Sequence, residues 1–234
     1  MIPSLRRRVF ACVSAGLLGA GLGSAQAQVV NGGFETGDLA PWIAYTTPNG
    51  TFSPGFPSIS TFDVSGNGTS SSAFSISVGY ETAPCSFPGY TCPWPTEGGG
   101  IRQTTVFLGG NTALHADVAV ANSTEYGGLN GDGGTFSLLL DDVLLDSVSF
   151  VDIVAGTVLR GQLDFTGFVS AGSHTLELLV TRNWAPSITL TQYIDGVSAV
   201  AAVPVPEPGT ALLLGLGLLP LLRLRNRGRR AFVG

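Results

Sequence analysis

The chain contains no lysine; all eleven of its basic residues are arginine. That absence removes the P-loop phosphate cradle and lysine Schiff-base chemistry at once. Histidine is scarce too, at His115 and His174 only. No G-x-S-x-G turn, H-E-x-x-H helix or cysteine–histidine pairing occurs, so no catalytic motif is legible. Positive charge is confined almost wholly to the two ends. Between Gln28 and Val205 three arginines (Arg102, Arg160, Arg182) stand against fifteen acids, a net charge near −12. Such a field repels nucleic acid and anionic lipid. A neutral polymer such as a glycan, or calcium, suits it better. The interior lacks helical periodicity as well, which leaves strands and turns.

The ends carry what the interior lacks. Arg6, Arg7 and Arg8 precede an uncharged Ala/Gly/Leu stretch, and Ala25-Gln26-Ala27 places small residues where a signal peptidase reads. Residues 1–27 are therefore expected to be a secretory signal peptide cleaved after Ala27. At the other end, residues 204–234 hold Pro206-Glu207-Pro208, an uncharged run over 209–222, and Arg223, Arg225, Arg227, Arg229 and Arg230. The prolines prevent a helix from starting earlier. A fourteen-residue helix spans roughly 21 Å against a hydrocarbon core of about 30 Å. It is expected to be a short transmembrane helix, with the arginines as a membrane stop that leaves the tail cytoplasmic. Cys12 leaves with the signal peptide, so Cys85 and Cys92 remain as an even pair in an oxidising compartment. They are expected to form a disulfide. Closing so short a loop stabilises by about 2–3 kcal/mol.

The Pro-Glu-Pro motif, short apolar helix and terminal arginines resemble the PEP-CTERM sorting signal of Gram-negative bacteria. That resemblance implies recognition by exosortase, an integral-membrane protease that removes the tail. It implies a protein exported across the inner membrane, held there transiently and then left at the cell surface or outside the cell. Members of that family occur in species that make exopolysaccharide and biofilm. Signal peptidase and exosortase would be the processing partners.

Residues 28–203 read as one domain. Phe74, Ile76 and Val78 alternate with polar neighbours, as do Leu114, Ala116, Val118 and Val120, the set Leu159, Leu163 and Phe165, and the set His174, Leu176, Leu178 and Val180. Asp141-Asp142 between two apolar runs reads as a tight hairpin turn. Eight to ten such strands, each with one apolar face, predict an all-β, antiparallel β-sandwich. The opening segment from Val30 to Trp42, with its Asn31-Gly32-Gly33-Phe34-Glu35 run, resembles the first strand of carbohydrate-binding-module-like jelly rolls. Tyr193-Ile194-Asp195-Gly196-Val197 is similar to their last strand, with Gly196 in place of the usual Asn.

That resemblance implies terminal strands lying side by side, with Glu35 and Asp195 as oxygen ligands of one structural calcium ion. Trp94 and Trp184 are candidates for stacking on a sugar ring, whereas Trp42 is expected in the core. Asp141 and Asp142, adjacent at a hairpin tip, are expected to keep ordinary acidity. The expectation for the whole is an exported, non-catalytic surface or matrix protein sorted by exosortase. The alternatives are a carbohydrate-binding module gripping glycan through aromatic loops and, more distantly, a glycoside hydrolase, which would need two carboxylates across a cleft.

Overall fold

Successive side chains of a strand point to opposite faces, so an apolar residue at every second position forces that face against another layer. The computed structural model describes residues 29–80, 97–123, 131–182 and 190–201, and among these the chain forms ten strands and no helix. They are β1 (Ile43–Thr46), β2 (Gly50–Phe52), β3 (Ser58–Phe62), β4 (Ser71–Ile76), β5 (Val78–Tyr80), β6 (Glu97–Asn122), β7 (Gly134–Leu140), β8 (Val143–Phe150), β9 (Val158–Arg182) and β10 (Leu190–Ala201). The main sheet runs β3-β4-β10-β6-β9-β7-β8 with β1 also on β6, every pairing antiparallel, and β2 pairs β5 apart from it. The expected all-β, antiparallel sandwich is what forms.

The strand boundaries differ from expectation. The segments around Ile101 and Leu114 belong to one strand, β6, and those around Leu163 and Leu176 belong to β9. These two strands make a single ladder, from Glu97↔Arg182 to Ala121↔Val158. The ladder has a corner. Leu108 pairs Ala171 and Gly110 pairs Val169, leaving Gly109 and Ser170 opposite one another without a ladder partner. Before the corner the odd residues of β6 are buried (Ile101, Gln103, Thr105, Phe107); after it the even ones are (Thr112, Leu114, Ala116, Val118, Val120). In β9 the change is mirrored, from Leu163 and Val169 to Leu176, Leu178 and Val180. One extra residue per strand inverts the inward face of both, while the register sum stays constant. Gly109 (φ 81°), Gly110 (φ 132°) and Gly172 (φ 140°) supply backbone conformations that side-chain-bearing residues resist.

The corner splits the ladder between two layers. One layer holds β3, β4, β10, the second half of β6 and the first half of β9. The other holds β1, the first half of β6, the second half of β9, β7 and β8. Both turn their apolar faces into one core that includes Phe34, Phe74, Phe107, Leu114, Phe136, Leu163, Leu178 and Ile194. Trp42 joins it as expected, 4% exposed, its indole N–H donating to Asn31 O at 3.1 Å. Gln103, buried beside this core, is matched to backbone groups. Gln103 accepts from Val30 N at 2.9 Å and donates to Val30 O at 2.8 Å, tying down the first residues. Val197 N donates to Gly32 O at 2.9 Å, so the two terminal segments do lie side by side. β7 and β8 are joined at Asp141-Asp142 with φ 51° and 63°, the two-residue turn that the sequence predicts. β8 bends back until Asp146 Oδ2 accepts the Asp164 N–H at 2.8 Å, covering an open edge of β9.

The expected signal peptide, Cys85 and Cys92, Trp94 and Trp184, the Pro206, Glu207, Pro208 motif, the 209–222 run and the terminal arginines all lie outside the described residues. Among the described residues, no helix is long and apolar enough to cross a membrane.

Leu178 is fully buried where the β6–β9 and β7–β9 pairings meet. Leu178→Ala is expected to cost about 2–5 kcal/mol in urea unfolding, the range for a buried leucine whose cavity does not collapse. A loss under about 1 kcal/mol would contradict the single shared core.

Candidate functional site

The outward face of the β10–β6–β9 layer carries most of the chemistry within the described residues. Register sets Asp195 beside Asp117 and Asp117 beside Gln162; one step along, Ser198 lies beside His115 and His115 beside Asp164. The row is knitted together. His115 Nδ1 lies 2.8 Å from Asp164 Oδ1 and its Nε2 3.4 Å from Asp117 Oδ1. Gln162 donates to Asp117 Oδ1 at 3.0 Å. Asp164 is 64% exposed and His115 32%, so the row is open to solvent.

Aromatic groups stand at both ends of this face. Toward β3, Phe62 stacks on Tyr193 with ring centres 3.9 Å apart and planes 3° from parallel. Arg160 lies over Phe62 at 5.8 Å and donates to Asp63 O at 3.0 Å. Burial raises the Tyr193 hydroxyl pKa despite a bond with Thr191. Toward the corner, Phe168 follows Gln162, Asp164 and Thr166 at the same parity of β9 and is 74% exposed. Sequence reasoning missed Phe168, because alternation alone does not say which face of a strand is inward once a corner has inverted it. On the opposite layer Tyr45 offers no free platform: Arg102 lies over its ring at 5.2 Å, and burial and a hydrogen bond with Glu177 raise its hydroxyl pKa.

Glu35 and Asp195, the pair marked for calcium by resemblance, do come together. A Cβ added at Gly33 would lie 3.9 Å from Asp195 Oδ1 and 3.9 Å from Glu35 Cγ. Their oxygens are already engaged: Asp195 accepts from Ser71 Oγ at 2.6 Å and Gly196 N at 2.7 Å, and Glu35 accepts from Ser72 N at 3.1 Å. Among the described residues, no group of three His, Cys, Asp or Glu side chains is placed to hold a metal ion. Glu35 ties the first loop to β4, and Asp195 ties β10 to β4.

Two carboxylates are shifted from ordinary acidity, in opposite directions. Burial raises the Asp195 pKa; hydrogen bonds from Ser71 and Gly196 lower it by less, and the Glu35 and Asp117 charges raise it further. Asp141 moves the other way: the Thr175 N–H and then His174 hold its carboxyl below the usual value. The expectation of ordinary acidity at this hairpin tip is thus corrected for Asp141, because the tip docks on β9.

No family model matches the chain, and no curated protein does. Among the solved structures that resemble it are two with a bound sugar. One is a carbohydrate-binding module, TmCBM61, in complex with β-1,4-galactotriose, at 14% identity and TM-score 0.36 over 74% of this chain and 97% of that one. The other is an arabinose-bound α-L-arabinofuranosidase, MgGH51, at 12% identity and TM-score 0.39 over 75% of this chain. The chain spans about a quarter of that enzyme, 26%.

The raised Asp195 pKa penalises folding wherever Asp195 is ionised. Its favourable contribution is complete below the ordinary value of 3.8 and is lost as pH rises through the higher folded-state value. Asp195→Asn is therefore expected to melt above the parent near neutral pH, with the gap closing as pH falls toward 3.8. A gap that stays constant between about pH 7 and about pH 3 would sink the assignment.

Proposed function

We propose that this is an exported polysaccharide-binding protein that grips a neutral glycan across the outward face of the β10–β6–β9 layer. The observation that carries the reading is Phe168: an aromatic ring 74% exposed on a strand face it shares with an open row of carboxylates, amide and imidazole. Sugar rings pack their C–H faces on aromatic planes, and their hydroxyls pair with such side chains. A net charge near −12 between Gln28 and Val205 favours a neutral polymer over an acidic one. A purely structural surface protein needs no such row.

Retention of the full chain on insoluble neutral polysaccharide tests the proposal. Phe168→Ala and Asp117→Ala are each expected to weaken binding about tenfold, roughly 1.4 kcal/mol. Because Phe168 is exposed, its variant should melt with the parent. Loss with Trp94→Ala and Trp184→Ala alone would move the grip to the loops that carry them, and failure to bind any polysaccharide would leave the structural reading.

Export and sorting rest on the sequence of the two ends, with signal peptidase and exosortase as processing partners and the exopolysaccharide matrix as destination. Glu207→Ala is expected to hold the full-length precursor in the membrane fraction. Normal maturation of that variant would refute exosortase sorting through Pro206, Glu207 and Pro208.

A further inference from the structure

The corner of the β6–β9 ladder gathers three side chains, two that an extended strand would hold apart and one from a distant turn. In an extended strand, residues four apart are about 13 Å distant. The bend at Gly172 instead brings Ser170 Oγ to 3.3 Å from His174 Nε2. The β7–β9 pairing carries in the hairpin tip, and Asp141 Oδ2 lies 2.6 Å from His174 Nδ1.

Each member is held. Asp141 Oδ1 accepts the Thr175 N–H at 2.8 Å, and Asp141 N donates to Thr175 O at 2.9 Å, so the carboxylate is pinned to β9 from both sides. The imidazole stands edge-on against the buried Phe107, with centres 5.4 Å apart at 85°. His174 is 13% exposed, while Ser170 faces solvent. Gly172 beside the imidazole holds φ 140°, the backbone conformation that makes the bend.

From this geometry we infer that Ser170 is a nucleophile, His174 its general base and Asp141 the residue that positions the base, in a site that takes carboxylic esters. It goes beyond glycan binding and does not depend on it. With Nδ1–H donating to Asp141, the lone pair of Nε2 is left to accept from the Ser170 hydroxyl. Ser170 Oγ attacks the ester carbonyl as its proton passes to Nε2. The oxygen–carbon bond forms and the carbonyl π pair moves onto the carbonyl oxygen. When that pair returns, the bond to the alkoxide breaks, and His174 hands the proton to the departing alcohol. Water then attacks the acylated Ser170, gives its proton to Nε2, and the released Ser170 oxygen takes it back. Ester and water become acid and alcohol. The Ser170 carbonyl oxygen, 3.1 Å from Nε2, accepts the N–H that appears while the proton is carried.

The test is labelling of the full chain with an alkyl fluorophosphonate, read by intact mass and peptide mapping, beside turnover of p-nitrophenyl acetate. The expected result is one adduct per chain, on Ser170, with labelling at least tenfold slower in Ser170→Ala and in His174→Gln. Asp141→Asn should lower kcat on the ester and leave KM in place, a split that mere loosening of the hairpin would not give. Absence of any adduct, an adduct elsewhere, or Ser170→Ala labelling at the parental rate would overturn the inference. Ser170→Ala removes only an exposed hydroxyl and should melt with the parent, so it decides the matter even if His174→Gln unfolds. An inert Ser170 leaves the glycan reading untouched, since polysaccharide retention does not call on it.

Discussion

A strand whose inward face is apolar at every second residue can leave one layer for another only by surrendering or inverting that alternation. The β6–β9 ladder inverts it. Gly109 and Ser170 sit opposite one another without a ladder partner, and the burial parity of both strands changes there at once. Because both strands carry the extra residue, the pairing register survives and one long ladder serves both layers. The positive φ values at Gly109, Gly110 and Gly172 are what let the backbone make this turn. The core shared by the two layers, the placement of β10 and β7 on opposite halves of the ladder, and both candidate sites all follow from it.

The corner also separates two kinds of surface chemistry. Along the flat part of the ladder, residues at one parity line up across strands, and this makes the open row of Asp195, Asp117, Gln162, His115 and Asp164 with Phe168 beyond it. Such a row is suited to an extended ligand that spans several strands. At the bend, strand geometry fails and residues close in sequence converge on a point, which is how Ser170 meets His174. The docked turn then brings Asp141, whose lowered pKa reports the Thr175 N–H and the His174 ring. The two surfaces share no residue.

Much of the fold was legible beforehand. The alternating sets at Phe74–Val78, Leu114–Val120 and Leu176–Val180 name buried residues correctly, and Asp141-Asp142 marks a real turn, because both signals are local. The meeting of Glu35 and Asp195 followed from resemblance of the end segments, and Val197 N on Gly32 O shows why they meet. What failed to show was anything depending on the corner. The alternation of apolar residues changes parity at Gly109-Gly110 and at Ser170–Gly172, so the continuity of β6 and β9 was missed. With it went the outward position of Phe168 and the approach of His174 to Ser170.

The sequence by itself determined the fold class: no helix signal inside, apolar residues in period two, and an acidic interior stripped of lysine. These are properties of composition and neighbouring residues, and they need no knowledge of distant contacts. Only the tertiary structure decided which face of each strand is buried on either side of the bend. That choice depends on backbone conformation at a few glycines and on pairing between residues far apart in the chain. It turned Phe168 outward, set Asp195, Asp117 and Gln162 in one row, and placed Asp141 against His174 across 33 residues of sequence.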